Sequence, residues 1–276
     1  MTNWFEGEID ANGIRMHYTR TGDHNKPPLV LLHGFLDNGL CWTPVARDLE
    51  DRYDVIMLDA RGHGQSDGPA KGASYSFDHL VADTSAAIGA LGLHKPYLFG
   101  HSMGALTAMA LAARAPDLAR AIVLEDPALM DQRPPQDEPE QLDQEQLQSI
   151  QEMMSFKLLS EEERLAKASA LNPNWSREEL IPWAQAKVEF DPEVFQYVLP
   201  SLIQPWRSYI AQVQCPLLLI TGDPELGAIT TPAMAEEISH LWQQGEMIHI
   251  SGAGHCIHRD RYTETMTAIQ DFLARH

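Results

Sequence analysis

Short runs of apolar residues recur along the chain and are separated by longer segments with helical character. Most of these runs are apolar at every position, which is typical of strands buried on both faces of a parallel sheet. They cover residues 28–32, 54–58, 97–99, 121–124, 215–220 and 246–250. Because the strands alternate with helices, the pattern predicts an α/β fold with a mostly parallel sheet and right-handed crossover connections.

The first residues of the chain follow a different pattern. Residues 5–21 alternate loosely between apolar and polar positions and are interrupted by Asn12-Gly13, a turn signal for an antiparallel hairpin. Together with the six apolar runs, this hairpin brings the predicted number of strands to eight. Helices are predicted over residues 42–49, 77–91, 105–114, 232–242 and 262–274.

A segment near the middle of the chain differs in its pattern of polar and apolar residues from the segments on either side. It begins after the sixth predicted strand and reads as a series of polar helices. Its apolar residues recur at helical spacing, as in Leu147, Ile150, Met154 and Leu158. We therefore divide the chain into a first core part at residues 1–127, a helical insertion at 128–207 and a second core part at 208–276.

The net charge of the chain argues against certain partners, and its cysteine content indicates a cellular compartment. The formal charge of −19 argues against a nucleic-acid partner and against an anionic membrane surface, because both require a basic footprint. Cys41, Cys215 and Cys256 are widely spaced and odd in number, which favours free thiols in a reducing compartment. The sequence has no apolar stretch of the ~18 residues that a membrane span needs, and its first residues lack the features of a signal peptide. These features predict a cytoplasmic location.

One short motif connects a predicted strand directly to a predicted helix. Gly100-His101-Ser102-Met103-Gly104 follows an apolar run and precedes an Ala- and Leu-rich segment. A serine on so tight a turn is held out above the sheet, and the flanking glycines allow neighbouring backbone to approach closely. The helix N-terminus beside it favours developing negative charge. The alternative interpretation is an ordinary glycine-rich turn in which Ser102 caps the helix.

This motif and three loops elsewhere in the sequence resemble motifs of one known superfamily. Gly100-His101-Ser102-Met103-Gly104 resembles the nucleophile elbow of the α/β-hydrolases. His33-Gly34-Phe35, the loop from Asp59 to Asp67, and Ser251-Gly252-Ala253-Gly254-His255 resemble three further loops of the same superfamily. The resemblance implies a mostly parallel eight-stranded sheet flanked by helices, with an α-helical cap inserted after the sixth strand. It also implies catalysis without a cofactor, and a mainly architectural role for the loop from Asp59.

The resemblance assigns roles to particular residues. Ser102 is the expected nucleophile and His255 the general base that takes its proton. The backbone N–H groups of Phe35 and Met103 are the expected oxyanion hole. The acid that orients His255 is left open between three places in the chain. These are Glu225, which lies three residues after Gly222, Asp126 with its neighbour Glu125 after the sixth strand, and Asp223.

His258 forms a His-x-x-His pair with His255, which invites a metal interpretation. A zinc site of this kind would need a glutamate after the first histidine and a third ligand, and the sequence offers neither. We therefore expect no metal site.

The expected function is that of a serine hydrolase of the carboxylesterase or lactonase type, acting on an ester, lactone or similar acyl compound. Haloalkane dehalogenases and epoxide hydrolases resemble the chain as well, but they use an aspartate as nucleophile where this chain has Ser102. Carbon–carbon bond hydrolysis or a lyase step on the same scaffold is one alternative. A ligand-binding protein without turnover is another.

Overall fold

The computed structural model describes residues 4–68, 76–130 and 144–276. Its centre is an eight-stranded sheet with the order β1-β2-β4-β3-β5-β6-β7-β8. The strands are β1 (Phe5–Ala11), β2 (Ile14–Arg20), β3 (Pro28–Leu32), β4 (Asp54–Leu58), β5 (Tyr97–His101), β6 (Ile122–Glu125), β7 (Leu217–Thr221) and β8 (Gly245–His249). β2 is antiparallel to both β1 and β4, whereas the neighbours from β4 to β8 pair in parallel. The predicted α/β fold is confirmed.

The hairpin between β1 and β2 closes at the predicted Asn-Gly turn. Asn12 and Gly13 have φ angles of 48° and 81°, so both lie in the left-handed region. Two consecutive positive φ angles match the right-handed twist of a strand pair, and asparagine and glycine tolerate them best. The hairpin therefore extends the sheet beyond β4 with the antiparallel pairing that the alternating pattern predicts.

Helices cover both faces of the sheet. They are α1 (Thr43–Leu49), α2 (Phe77–Ala90), α3 (Met103–Arg114), α4 (Gln144–Ser155), α5 (Glu161–Leu171), α6 (Arg177–Glu189), α7 (Val194–Ser201), α8 (Trp206–Gln212), α9 (Pro232–Leu241), α10 (Ile257–Asp260) and α11 (Tyr262–Arg275). Val30 and Leu32 of β3 belong to the core shared with α2, α3, α8 and α9. Leu29 and Leu31 belong to the core shared with α1 and α11. Side chains alternate across a strand, so a strand covered on both faces must be apolar throughout.

Five of these helices, α4 to α8, lie between β6 and β7 in the chain, and we call residues 128–216 the β6–β7 segment. Part of it has a small core of its own, formed by Phe156, Ala168, Leu180 and Ala184. α8, by contrast, packs against the sheet side through Trp206 and Ile210. Residues 131–143 of the predicted insertion lie outside the described part of the chain. The division at 128–207 stays a prediction.

The loop that begins at Asp59 is held by hydrogen bonds to its buried carboxylate. Asp59 accepts from the backbone N–H groups of Gly39, at 2.6 Å, and Gln65, at 2.9 Å, and from His17 Nδ1 at 2.8 Å. Burial alone would raise the pKa of Asp59, but these bonds outweigh burial and lower it. The carboxylate thus ties three separate segments together at this edge of the sheet. Among the described residues, no helix has the length and apolar character needed to cross a membrane.

Candidate active site

Ser102 lies at the sharp turn between β5 and α3. Its φ and ψ angles are 53° and −114°, a strained conformation for a residue that has a Cβ atom. The turn is possible because glycines stand on both sides of it. A Cβ on Gly100 would lie 2.3 Å from the carbonyl oxygen of Gly104, and a Cβ on Gly104 would lie 2.0 Å from that of Leu32. The spacing of the motif therefore reflects two backbone contacts that only glycine permits.

The His-Gly loop after β3 passes directly beside the serine. A Cβ on Gly34 would lie 3.4 Å from the Cβ of Ser102 and 2.7 Å from Nδ1 of His101. The next residue, Phe35, is therefore close to Ser102, as is Met103 at the first position of α3. The oxyanion role of their two backbone N–H groups stays a prediction.

His33 fixes the start of this loop. The backbone N–H of Ala60 donates to His33 Nε2 at 2.9 Å, so the proton of the neutral ring must be on Nδ1. Nδ1–H then donates to the carbonyl oxygen of Gly34 at 2.8 Å. Burial lowers the pKa of His33, which keeps the ring neutral and preserves this arrangement.

His255 follows β8, and its ring contacts a buried carboxylate. Its Nδ1 lies 2.6 Å from Oδ2 of Asp126, which is fully buried immediately after β6. The same carboxylate accepts hydrogen bonds at 2.8 Å from the backbone N–H groups of Ile229, on Oδ2, and Thr230, on Oδ1. Three donors therefore fix Asp126 against the imidazole. His101 Nε2–H also donates to the backbone oxygen of His255 at 2.8 Å, which links the loop that carries His255 to β5, the strand that precedes Ser102.

The structure brings one of the three proposed acids to His255. Among the described residues, the carboxylate within hydrogen-bond distance of the His255 ring is that of Asp126. Glu225 is exposed on the 3₁₀ turn Pro224–Leu226, so the expectation that it pairs with His255 is not met. Asp223 instead accepts from His249 Nε2 at 2.9 Å and from the backbone N–H of Gly252 at 2.7 Å. The loop after β7 thus turns backbone N–H groups, and not a carboxylate, toward the site.

His258 and Glu125 form a second buried pair behind the first. Nδ1 of His258 lies 2.8 Å from both carboxylate oxygens of Glu125, and its backbone N–H donates to one of them at 2.9 Å. The His258 ring also stacks on Trp42, with 4.7 Å between ring centroids. Burial alone would raise the pKa of Glu125, but His258 holds it at about 2. In the described part of the chain, no group of three or more potential metal ligands is present.

This second pair and the bond from His101 to the His255 backbone were not predicted. Both join residues more than 130 positions apart, Glu125 to His258 and His101 to His255. A lone histidine carries no sequence signal for such a partner. The adjacent acids Glu125 and Asp126 were a usable clue, because neighbours at a strand end point in different directions and can hold two different histidines.

Aromatic side chains form a wall beside the His-Gly loop. The ring of Phe35 meets that of Phe195 from α7 edge to face, with centroids 5.5 Å apart, and that of His63 at 5.9 Å. Phe195 in turn meets Phe190 at 5.5 Å. Burial lowers the pKa of His63 to about 3, so its ring is uncharged. The surroundings of Phe35 are therefore apolar.

Comparison with known proteins identifies the family of the chain. A family model for the alpha/beta hydrolase fold matches residues 27–262, and the chain belongs to this family. N-formylmaleamate deformylase of Pseudomonas putida is 31% identical over 277 residues, which cover 97% of this chain and 96% of that protein.

Two further similarities are more limited. Epoxide hydrolase 4 of Mus musculus is 36% identical over 116 residues, or 42% of this chain, so the chain matches only 32% of that protein's length. The crystal structure of E-2-(acetamidomethylene)succinate hydrolase superimposes with a TM-score of 0.79 at 20% identity and covers 99% of this chain and 100% of that one. This last likeness concerns the fold.

Proposed function

We propose that the protein is a serine hydrolase that cleaves a carboxylic ester, lactone or related acyl bond of a small molecule through an acyl-enzyme. The observation that carries the proposal is the bond between His255 and the buried carboxylate of Asp126, at the same sheet edge as the strained Ser102. A serine, a histidine and an acid so arranged on this fold are the elements of nucleophilic acyl transfer.

The bond between His255 and Asp126 determines which nitrogen of the His255 ring is available to take the proton of Ser102. Because Nδ1 of His255 is bound to Asp126, Nε2 remains for the Ser102 hydroxyl. Ser102 Oγ attacks the carbonyl carbon while His255 takes its proton, and Asp126 stabilises the resulting imidazolium. His255 then gives the proton to the leaving group as the first tetrahedral intermediate collapses to the acyl-enzyme. In the second half, His255 takes a proton from the attacking water and returns it to Ser102 Oγ as the bond between the acyl group and the serine breaks and the acid product leaves.

Negative charge on the carbonyl oxygen must be stabilised in both tetrahedral intermediates. We assign this role to the backbone N–H groups of Phe35 and Met103, which flank the nucleophile from β3 and α3. One such donor contributes about 3 kcal/mol to the transition state. The helix N-terminus at Met103 adds a favourable dipole at the same place.

The β6–β7 segment is the cap in this proposal, and it shapes the acyl pocket. Phe195 contacts Phe35 from this segment, so a planar or branched apolar acyl group would pack beside these two rings. The Pseudomonas putida relative is named for deformylating N-formylmaleamate, which supports hydrolysis of a small acyl compound. The epoxide hydrolases are less informative, because opening an epoxide through an ester intermediate would need a carboxylate at position 102.

The test is labelling with a fluorophosphonate probe, read by mass spectrometry, together with turnover of short p-nitrophenyl esters. We expect an adduct on Ser102 in the wild type and none in Ser102→Ala, with ester turnover reduced by at least 10³-fold. Ser239→Ala is the matched control, because the Ser239 hydroxyl bonds the carbonyl oxygen of Glu236 in its own helix. Unchanged ester turnover in Ser102→Ala would refute the proposal, and a strong preference for vinylogous diketones over esters would replace it by carbon–carbon bond hydrolysis.

A further inference from the structure

A buried polar cluster joins helix α6 of the β6–β7 segment to the His-Gly loop. Lys187, Asp37 and Arg259 are 2%, 4% and 6% exposed. Lys187 Nζ donates to the carbonyl oxygen of Leu36 at 2.9 Å and to Asp37 Oδ1 at 3.0 Å. Arg259 Nη2 donates to the other oxygen of Asp37 at 2.8 Å. None of these contacts is used by the chemistry proposed above.

The loop that Lys187 contacts is a tight turn with a residue in an unusual conformation. The backbone N–H of Asp37 donates to the carbonyl oxygen of Gly34 at 3.1 Å, which closes a four-residue turn around Phe35 and Leu36. Leu36 has a φ angle of 64°, at the third position of the turn, where glycine is the usual residue. The left-handed region costs a residue such as leucine about 1 kcal/mol or more. Something outside the turn must therefore hold it in place.

Lys187 stabilises this turn from outside. Its ammonium group donates to the carbonyl oxygen of the strained Leu36 itself, so a rotation of the peptide unit between Leu36 and Asp37 would break a buried, charge-assisted hydrogen bond. Losing such a bond inside the protein is costlier than the strain that the rotation would relieve. Asn38 gives a second link between the loop and α6, since its Nδ2 donates to Oε2 of Glu189 at 2.7 Å.

We propose that Lys187 is a positioning residue for the oxyanion hole: by holding Leu36 and Asp37, it sets the direction of the Phe35 N–H. The proposal rests on the function proposed above. An oxyanion donor must lie 2.7–3.1 Å from the developing charge, and an error of about 1 Å costs on the order of 10²-fold in rate. Because the lysine comes from α6, the hole is complete only when the β6–β7 segment is seated on the core.

Removal of the lysine should leave the protein folded. Asp37 keeps its bond to Arg259, and that guanidinium together with Lys187 holds the pKa of Asp37 well below its usual range against the effect of burial. Arg259 also keeps its ion pair with Glu179, in which Arg259 Nε lies 3.4 Å from Glu179 Oε2. A single charge is therefore lost from a cluster that still contains an ion pair.

The chain offers a matched control in Lys157. Its Nζ donates to the carbonyl oxygens of Val188 and Phe190 at 2.5 and 2.7 Å, and it lies 4.2 Å from the centroid of the Phe190 ring. Lys187 lies 4.4 Å from the Trp183 ring. Both lysines thus belong to the β6–β7 segment, bind main-chain oxygens and cover an aromatic ring, but only Lys187 reaches the His-Gly loop.

The experiment compares Lys187→Met and Lys157→Met with the wild type in three measurements. These are steady-state ester hydrolysis, the affinity of an alkyl boronic acid that mimics the tetrahedral intermediate, and amide hydrogen exchange of residues 34–37 read by mass spectrometry. Circular dichroism confirms that each variant is folded. For Lys187→Met we expect kcat to fall about 10–100-fold with KM within about threefold, boronate affinity to fall by a similar factor, and exchange to be faster.

The outcomes separate this proposal from the one it rests on. If the wild type neither turns over esters nor binds the boronate, the proposed function fails, and exchange alone decides whether Lys187 holds the turn. If the wild type is active and Lys187→Met keeps its kcat and its boronate affinity, the positioning role is refuted. An equal loss in Lys157→Met would also refute it, because the effect would then come from the β6–β7 segment in general.

Discussion

Replacing Asp126 by asparagine tests the proposed role of the His255–Asp126 pair with the least disturbance to its surroundings. Asp126 has a φ angle of 36°, and asparagine tolerates this left-handed conformation better than alanine does. The side chain keeps its size and loses its charge. The three hydrogen bonds that the carboxylate accepts can then be followed one by one.

Asparagine has a single oxygen and therefore cannot satisfy all three donors. If its oxygen faces His255 and Ile229, its NH₂ group meets the backbone N–H of Thr230, which leaves that buried donor unpaired. This arrangement should cost about 1–3 kcal/mol of stability. If its NH₂ group faces His255 instead, Nδ1 must accept, and the ring proton moves to Nε2, which can then no longer take the proton of Ser102.

Both arrangements remove the negative charge that stabilises the imidazolium. We therefore expect kcat for a p-nitrophenyl ester to fall on the order of 10³-fold, and up to about 10⁴-fold if the wrong tautomer dominates. KM should change little, because Asp126 does not touch the substrate in the proposed mechanism. The assay is stopped-flow ester hydrolysis, with thermal unfolding followed in parallel.

Glu225→Gln is the control, since Glu225 is exposed and lies on the neighbouring loop. We expect its kcat to stay within about twofold of the wild type, as surface substitutions are close to neutral. The reasoning is refuted if Asp126→Asn keeps more than about a tenth of the wild-type kcat, or if Glu225→Gln loses more activity than Asp126→Asn does.

Two further predictions concern the scaffold of the site. Gly104→Ala should destabilise the protein by about 3 kcal/mol or more in urea unfolding, because its Cβ would lie 2.0 Å from the carbonyl oxygen of Leu32. Gly89→Ala, in α2 with nothing within 4 Å of the added Cβ, should instead stabilise by about 0.5–1 kcal/mol, and a similar loss in both variants would contradict the argument. Glu125 has a folded pKa of about 2 against an ordinary value of 4.5, so the stabilisation from its bond to His258 is complete above about pH 5 and is lost as the pH falls toward 2. The wild type should therefore exceed Glu125→Gln in unfolding free energy by about 3 kcal/mol more at pH 7 than at a pH below 2. About 2 kcal/mol of this difference should be lost by pH 3. A difference between the two proteins that does not change with pH would contradict the prediction.

The features that depend on a short stretch of chain could be predicted from the sequence. β3 is apolar at every position because Leu29 and Leu31 face one helical layer while Val30 and Leu32 face the other. The turn at Ser102 was recognisable because its requirements, two glycines between a strand and a helix, lie within five residues. The family match over residues 27–262 confirms the superfamily that these motifs indicated.

The features that depend on distant contacts could not be predicted. β6 and β7 are neighbours in the sheet, so the loops after both strands approach the same histidine, and counting along the chain does not show which of them offers a carboxylate. Periodicity also failed locally at Leu158. Leu158 continues the helical spacing of the apolar residues before it, but α4 ends at Ser155 and Leu158 is 88% exposed on a 3₁₀ turn. An apolar residue at the right spacing is buried only if the helix continues to it.

The loop after β7 holds the Asp126 carboxylate through main-chain atoms alone, by the N–H groups of Ile229 and Thr230. Every amino acid except proline carries such a donor. Ile229 is half-buried, so substitutions there can alter the size and polarity of its side chain while the charge pair between Asp126 and His255 is retained. Thr230 is 1% exposed, so replacements at this position must conserve volume. For directed evolution, position 229 is therefore a place where libraries can be broad, provided that proline is excluded.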